Sequence, residues 1–580
     1  MKNIFNKAMQ QIKENKWIHY LIIIAIGIIL SIPLCKIQIR NTHDGALHML
    51  RVLGTEDTLK IGQIPPLINQ NYCNGAGYSM NLFYQPLVTY IPLLIKLFTP
   101  SYMTALKIFG GICIVFSGIT MYKFVYNATN KRAIALFSAF FYLIAPYKLA
   151  NVYKRFAIGE FTALVFMPLV FLGLYNLFNQ DGKKHYYIAI GATGLMLSHT
   201  VTTLYTAIFA LIYILFNVKK LKQKEIIKKC IINMIFILLI SMLFWLPLLE
   251  ATSACDYAIM DDTIIGTNGN YVASNTISFS QFFKDKVEGD GTTFLIGIPT
   301  LIVLLLTIFA YKKINNSYKE IYLTNLIFAL ISFFMTSKFF PWKIMPGILC
   351  KLQYPWRMVG FLNFFTSFIC GVNMYIVFKN IIKKDSIRII AIAVFIILSI
   401  IYSIKIMSKF YATDTNMDNR YETAILENKK ISHKSINRDY MPVKALELQN
   451  SYVIQRKDAT YILEGSANIV NENKVNLTDN IEIKNITKGT TLEFPYYYYV
   501  GYKITIETSD GNVKDVKPIE SENGYLSCII DENIDSATIK VQYVGTTITY
   551  ISYITSLISL IIFIIYIRYE VKKGENNVEN

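Results

Sequence analysis

Apolar runs of eighteen or more residues recur along this chain of 580 residues. Each is long enough to cross the ~30 Å hydrocarbon layer of a bilayer as a helix. One soluble core cannot absorb so many such runs, so the sequence describes a polytopic α-helical membrane protein. Hydropathy places about twelve spans, at 17–36, 104–127, 133–150, 158–178, 185–198, 200–218, 228–249, 293–311, 319–336, 355–378, 387–407 and 547–567. The run 84–98 is short and proline-flanked, and reads as a helix lying at the membrane surface. The pair 185–198 and 200–218 is the least regular, because its first member is too short to cross an unthinned bilayer. The first run, Trp17–Cys35, has no small-residue cleavage site behind it and reads as a retained anchor.

The formal charge of +18 fits the positive-inside rule better than a nucleic-acid partner. With the basic N-terminus in the cytoplasm, the inside loops are "NATNKR", "NQDGKKH", "NVKKLKQKEIIKK", "YKKINNSYKE", "KNIIKKDSIR" and the tail "RYEVKKGENN". Every one carries Lys or Arg, and removing one span would invert the pattern. The cell membrane then holds a multi-pass chain with both termini cytoplasmic and with 37–103 and 409–546 external. Three parts follow: a transmembrane domain over 1–408, an external domain over 409–546, and a final helix and tail over 547–580. The external domain is polar and alternating. Ile539, Val541 and Tyr543 point one way at period two, and "SDGN" (509–512) and "ENG" (522–524) are turn chemistry, so a small β-sandwich is expected.

Ionisable residues gather at the external ends of these spans. "NTHDGALHMLR" (41–51) places Asp44 as the N-cap of a helix, with His48 and Arg51 following at i+4 and i+7. "YKLANVYKRFAIGEF" (147–161) supplies Lys148, Arg155 and Glu160, "LSHT" supplies His199, and "YPWRMVGF" (354–361) supplies Trp356 and Arg357. Singly, each has an ordinary reading: Asp44 and His199 as helix caps, Arg357 as a snorkelling cation, Trp356 as an aromatic-belt residue. Their shared side points to a site, since ionisable groups at membrane depth face a cavity or a partner. A carboxylate among several cations suits a phosphate-bearing substrate with an acid or base beside it. There is no Walker loop, strand–helix GxGxxG or HExxH, and six histidines are too dispersed for a three-His zinc site. His43 beside His48, together with Asp44, is the candidate for a metal site, with Asp44 and His43 as its ligands of choice. The eight cysteines show no CxxC; Cys73 and Cys255 form an external pair that a disulfide could join.

The layout resembles the GT-C superfamily of integral-membrane glycosyltransferases, and more closely the bacterial membrane proteins described as 6-pyruvoyl-tetrahydropterin synthase related and the YfhO-type proteins. Three stretches carry the likeness: residues 43–90, from "HDGALHMLR" to "YQPLVTY"; "NVYKRFAIGEF"; and "LEFPYYYYVGYKITIETSDGN" through "VQYVGTTITYISYITSLISL". "GAGYSMNLF" and "YQP" depart from the GYG and Tyr-Pro-Pro of the pattern. The resemblance implies an enzyme that moves a sugar from a polyprenyl-phosphate-linked donor to a cell-envelope glycan, lipid or protein acceptor. Asp44 matches the family's acidic residue of the first external loop, which acts as base or orients a divalent metal such as Mg or Mn. Arg357 and Arg155, with Lys148 behind them, would meet the leaving phosphate. His48, Arg51, Glu160, His199 and Trp356 would line the substrate site. The competing readings are a lipid-linked-sugar transporter and a non-catalytic envelope assembly or glycan-binding protein.

Overall fold

The structure, a computed structural model, describes residues 15–283, 295–382, 384–411, 416–427, 438–447, 458–475 and 478–579. Among the described residues, seven helical segments are long and apolar enough to cross a membrane: Lys16–Lys36, Tyr102–Thr129, Ile158–Asn179, Asn316–Thr336, Pro355–Asn380, Asp385–Phe410 and Thr547–Lys573. Two expected spans are bent. The one at 133–150 breaks into Arg132–Ile144 and Pro146–Arg155 at 46°, and the one at 228–249 breaks into Lys224–Ile240 and Met242–Ala254 at 64°. Pro146 accounts for the first break, because it drives Ala145 out of the helical region (ψ 117°). Where the sequence places about twelve spans, the described residues hold seven helices that meet the length and apolarity of a span, or nine counting each bent pair as one. The segment 185–218 forms two helices, Tyr187–Met196 and Thr200–Phe216, hinged at His199. The ten residues of the first reach only ~15 Å, half a hydrocarbon layer. Part of the expected span 293–311 lies outside the described residues; the rest is two short helices, Ile298–Leu305 and Thr307–Ala310. The run 84–98 is the helix Leu87–Lys96.

Ile158–Asn179 and Met358–Ile381 lie at the centre of the bundle, while Asp385–Met407 is peripheral. The peripheral helix turns Ile387, Ile390, Val394, Ile397, Leu398 and Ile401 outward. Exposed side chains of this kind are stable against lipid, where there is no water to avoid. The helix Met417–Glu427 clamps the bundle with two acids. Asp418 accepts from the backbone N–H of Ile39 and Arg40, both at 3.0 Å, and pairs with Lys107 at 3.0 Å. Glu422 accepts from the N–H of Tyr102 (2.9 Å) and Met103 (3.2 Å) and from Ser101 Oγ (2.7 Å). An acid there satisfies orphan donors of the helix Tyr102–Thr129 and complements its dipole.

Between the last two spanning helices stand nine antiparallel strands: β1 (Tyr461–Glu464), β2 (Asn468–Val475), β3 (Thr478–Ile486), β4 (Thr491–Tyr497), β5 (Tyr502–Thr508), β6 (Val513–Val516), β7 (Ile519–Glu520), β8 (Tyr525–Ile529) and β9 (Ile534–Tyr543). They form sheets of order β1-β4-β8-β7 and β2-β3-β9-β5-β6. Alternation on β9 buries Ile539 and Val541 as the period-two pattern requires. Tyr496 of β4 meets Tyr502 of β5 across the two sheets at 5.5 Å. The strands begin only at residue 461; the described residues before them include the helices Met417–Glu427 and Val443–Glu447. Aromatic contacts dock this part onto the bundle. Tyr440 stacks on Phe83 (5.3 Å, 6°), Tyr257 stacks on Tyr499 (5.7 Å, 4°), and Tyr499 Oη donates to the Tyr440 carbonyl at 3.0 Å. Cys73 and Cys255 are both buried free thiols, and no disulfide joins them.

Candidate functional site

Two backbone hydrogen bonds bring the first two sequence clusters together. His43 N–H donates to the Lys154 carbonyl (3.3 Å) and Asp44 N–H to the Arg155 carbonyl (3.0 Å). The receiving carbonyls belong to a π-helical turn, Asn151–Arg155, which ends on Phe156 in the left-handed region (φ 50°). A buried phenylalanine held there is strained, and such strain is stored where the surrounding structure over-determines it. Its effect is to reverse the chain so that Arg155 faces Glu160 in the first turn of the next helix. Gly45 is required on the other side: a Cβ would overlap the Ile39 carbonyl oxygen and Thr42 Oγ1.

Asp44 occupies the N-cap position of the helix Gly45–Lys60, yet its side chain does not cap. Thr42 Oγ1 accepts from Gly45 N–H instead, at 3.1 Å. The expected capping role of Asp44 is therefore replaced, and its half-buried carboxyl is left turned toward cations. Burial raises it from the usual aspartate range, against the pull of Arg155, His43, Arg357 and Arg51 in that order. Arg51, only 1% exposed, lies 3.6 Å over the Tyr84 ring, and its Nη1 donates to His48 Nδ1 at 2.6 Å. Arg can only donate, so His48 carries its proton on Nε2. Burial, then Arg51, pushes His48 well below its ordinary value, and the ring is neutral.

Glu160 and Arg155 form the rigid wall of the site. Glu160 is 4% exposed and Arg155 6%. Glu160 Oε1 accepts from Tyr147 Oη (2.7 Å) and Asn151 Nδ2 (2.8 Å), and Oε2 pairs with Arg155 Nη1 at 2.7 Å. Arg155 Nη1 also donates to Asn151 Oδ1 (2.6 Å), and its guanidinium stands 4.5 Å over Trp356. Trp356 stacks on Tyr354 at 4.9 Å. Arg357 donates to the Leu352 carbonyl (2.9 Å), leaving its charge within reach of both Asp44 and Glu160. His199 caps the helix Thr200–Phe216 through Nδ1 and Thr202 N–H (3.3 Å), as its bland reading expected. It also feels Arg357, Glu160 and Arg155. Gly159 keeps this corner tight, for a Cβ there would press on the Ser198 carbonyl, Tyr84 Oη and His199.

Lys148 does not join. Its Nζ turns into the bundle to Ser117 Oγ and to the Tyr142 carbonyl (3.2 Å). Three residues that do join were missed by sequence reasoning. Tyr84, under Arg51, belongs to the quoted aromatic–proline run and was visible as such. Asp439 and Tyr440 arrive from the segment before the strands. Burial lifts Asp439 to about 6, with Arg51 opposing and Asp44 adding to the rise. Tyr440 is buried beside Arg51. Their signal was "RDYMP", an ion pair and an aromatic ahead of proline in a polar stretch. Among the described residues no group of three His, Cys, Asp or Glu could hold a metal. With guanidinium groups around Asp44, the pair His43 and Asp44 does not fit a divalent cation.

These features define a multi-pass helical membrane protein with an antiparallel β-domain between its last two spanning helices and a carboxyl–guanidinium site built from separate loops. The chain belongs to the 6-pyruvoyl-tetrahydropterin synthase related family of membrane proteins, whose model matches residues 82–411. That match contains Arg155, Glu160, His199, Trp356 and Arg357, while Asp44, His48 and Arg51 precede it and Asp439 follows. An uncharacterized protein of Lactococcus lactis subsp. cremoris (strain MG1363) is 30% identical over 352 residues, 58% of this chain. The match spans about half, 56%, of that relative's length.

Proposed function

We propose that the protein is a GT-C-type glycosyltransferase that moves a sugar from a polyprenyl-phosphate-linked donor to a cell-envelope acceptor. The observation that carries this reading is the Asp44 carboxyl, released from capping by Thr42 and set among Arg155, Arg357 and Arg51. Asp44 takes the proton from an acceptor hydroxyl as that oxygen bonds to the anomeric carbon. The bond from that carbon to the phosphate oxygen breaks on the opposite face, which inverts the centre. Arg155 and Arg357 meet the charge that develops on the departing phosphate, and fixed cations in a dry site are effective there. Glu160 holds Arg155 in place and does not exchange protons, since its oxygens are already taken by three donors. His48 holds Arg51. The reading places the site on the outer face, with both termini in the cytoplasm and the β-domain above the site. The kinship with GT-C enzymes and YfhO-type proteins is part of the same proposal.

The test is Asp44→Asn, expressed in a deletion strain, with lipid-linked sugars and envelope glycans profiled by mass spectrometry. Loss of one envelope glycan with accumulation of its lipid-linked donor is expected, while the protein remains folded in the membrane. Full restoration of the glycan by the Asn variant would remove Asp44 from the chemistry. A phenotype that follows deletion of the β-domain and ignores Asp44 favours the non-catalytic binding role.

A further inference from the structure

We propose that Asp479 and Glu472 share one proton and form a proton-sensitive latch that fastens the β-domain to the loop Tyr72–Gly77. Asp479, on β3, is 0% exposed, and neither carboxyl oxygen has an N–H or O–H donor among the described residues. The register Lys474↔Asp479 and Glu472↔Ile481 puts Glu472 of β2 diagonally across from it on the same face of the strand pair, and Glu472 adds to its rise. Two ionised carboxylates repel at such a contact, whereas an acid donates to a carboxylate. Glu472 already has donors on both oxygens: it accepts from Thr460 N–H at 2.9 Å and from Thr460 Oγ1 at 2.7 Å, whereas Asp479 has none among the described residues. Asp479 is then the acid.

Lys474 completes the device. It is the cross-strand partner of Asp479 on β2, the cation best placed to neutralise it. Instead, Lys474 Nζ donates to the Gly75 carbonyl at 2.9 Å, pairs with Asp458, and stands 4.3 Å over Tyr496. Among the described residues, the charged and titratable groups facing Asp479 are Glu472 and Lys474 from β2, Asp458 from the segment before β1, and Tyr496 from β4, with Tyr502 of β5 behind it. On β9 its partner is the uncharged Val541. Burial, then Glu472, lifts Asp479 to about 7, which puts the change in the neutral range. Loss of the proton leaves two buried negative charges and draws Lys474 across the strand pair. The Gly75 carbonyl then loses its donor, and the neighbouring bond from Tyr497 N–H to the Ala76 carbonyl (3.0 Å) loses its support. Acid closes the latch and alkali opens it. This inference does not depend on the transfer reaction.

The test is hydrogen–deuterium exchange of residues 72–78 in the full chain in nanodiscs, from about pH 5 to about pH 9, corrected for intrinsic exchange. Wild-type protection is expected to fall with a midpoint near 7. Asp479→Asn should stay protected throughout, and Glu472→Gln should move the midpoint to lower pH. The infrared carbonyl band of protonated carboxyls should be weaker in Asp479→Asn than in wild type, since buried Asp439 contributes to it below about pH 6. Flat wild-type protection, an unmoved midpoint in Glu472→Gln, or an unchanged band in Asp479→Asn would overturn the latch. Should Asp479→Asn fail to fold, wild-type protection and Glu472→Gln still decide.

Discussion

Glu160→Gln tests whether the wall of the site is the buried network its distances describe. The amide oxygen can still accept from Tyr147 and Asn151, which now hold Oε1 at 2.7 and 2.8 Å. The amide nitrogen then faces Arg155 Nη1, donor against donor, where a 2.7 Å ion pair stood. Arg155 keeps Asn151 and the Trp356 face but loses its countercharge while 6% exposed. Stranding a charge in this way costs about 3–5 kcal/mol. Arg155→Met alone strands Glu160 and should cost a similar amount. The double variant strands neither, so its cost should fall short of the sum by about 2–3 kcal/mol. Steric-trapping measurements of unfolding in bicelles give all three values. A Glu160→Gln cost under about 1 kcal/mol, with an additive cycle, would refute a buried, mutually compensated pair.

Gly45→Ala forces a methyl into the Ile39 carbonyl and Thr42 hydroxyl. It should cost about 1–3 kcal/mol, read by the same unfolding measurement, and a neutral result would mean that the loop yields. Glu422→Gln weakens the charged cap on the helix Tyr102–Thr129 and should cost about 1–2 kcal/mol, with faster exchange at the N–H of Tyr102 and Met103. For pH, burial raises Asp44, so the proposed sugar transfer should fail on acidification at a pH above the ordinary aspartate range. Asp439 has a stability signature of definite sign. Its folded value of about 6 exceeds 3.8, so the native state keeps the proton longer and stability falls as pH rises between them. Asp439→Asn should therefore stabilise the protein relative to wild type at pH 8 and not at pH 3, and the reverse order would contradict its burial.

Membrane character and the β-domain were legible because each rests on a long periodic signal: sustained hydropathy, and alternation along β9. The bends were partly legible. Pro146 marks the first, while the second falls at Ser241, ahead of Pro247, where no residue stands out. In the site, chain direction was legible and side-chain direction was not. Arg155, Glu160, His199 and Arg357 share one corner because the loops bearing them share one end of the bundle. Lys148 comes from the same loop, but on the short helix Pro146–Ala150 it points inward to Ser117. In "NTHDG", Thr42 and Asp44 are both good caps, and propensity cannot choose between them. The structure gives that bond to Thr42, which leaves the Asp44 carboxyl free of the capping role.

Asp439 was hidden by distance along the chain, and the way it is held bears on how the β-domain relates to the site. The segment that carries it is fixed at both flanks by other elements. Tyr440 N–H donates to Tyr78 Oη (3.2 Å), Ala258 N–H to the Met441 carbonyl (3.0 Å), and Val443 N–H to the Asp256 carbonyl (2.8 Å). Tyr499, which ends β4's run of tyrosines, donates to the Tyr440 carbonyl. The same stretch of loop, residues 72–84, meets Lys474 at Gly75, Tyr497 at Ala76, Tyr440 at Tyr78 and Phe83, and Arg51 at Tyr84. A shift of the β-domain on Gly75 therefore acts on the loop that supports both Tyr440 and the Arg51 platform. Asp44 and Asp439 feel Arg51 from opposite ends of the sequence, and the β-domain adds one hold on the second of them, through Tyr499, to those of Tyr78, Asp256 and Ala258.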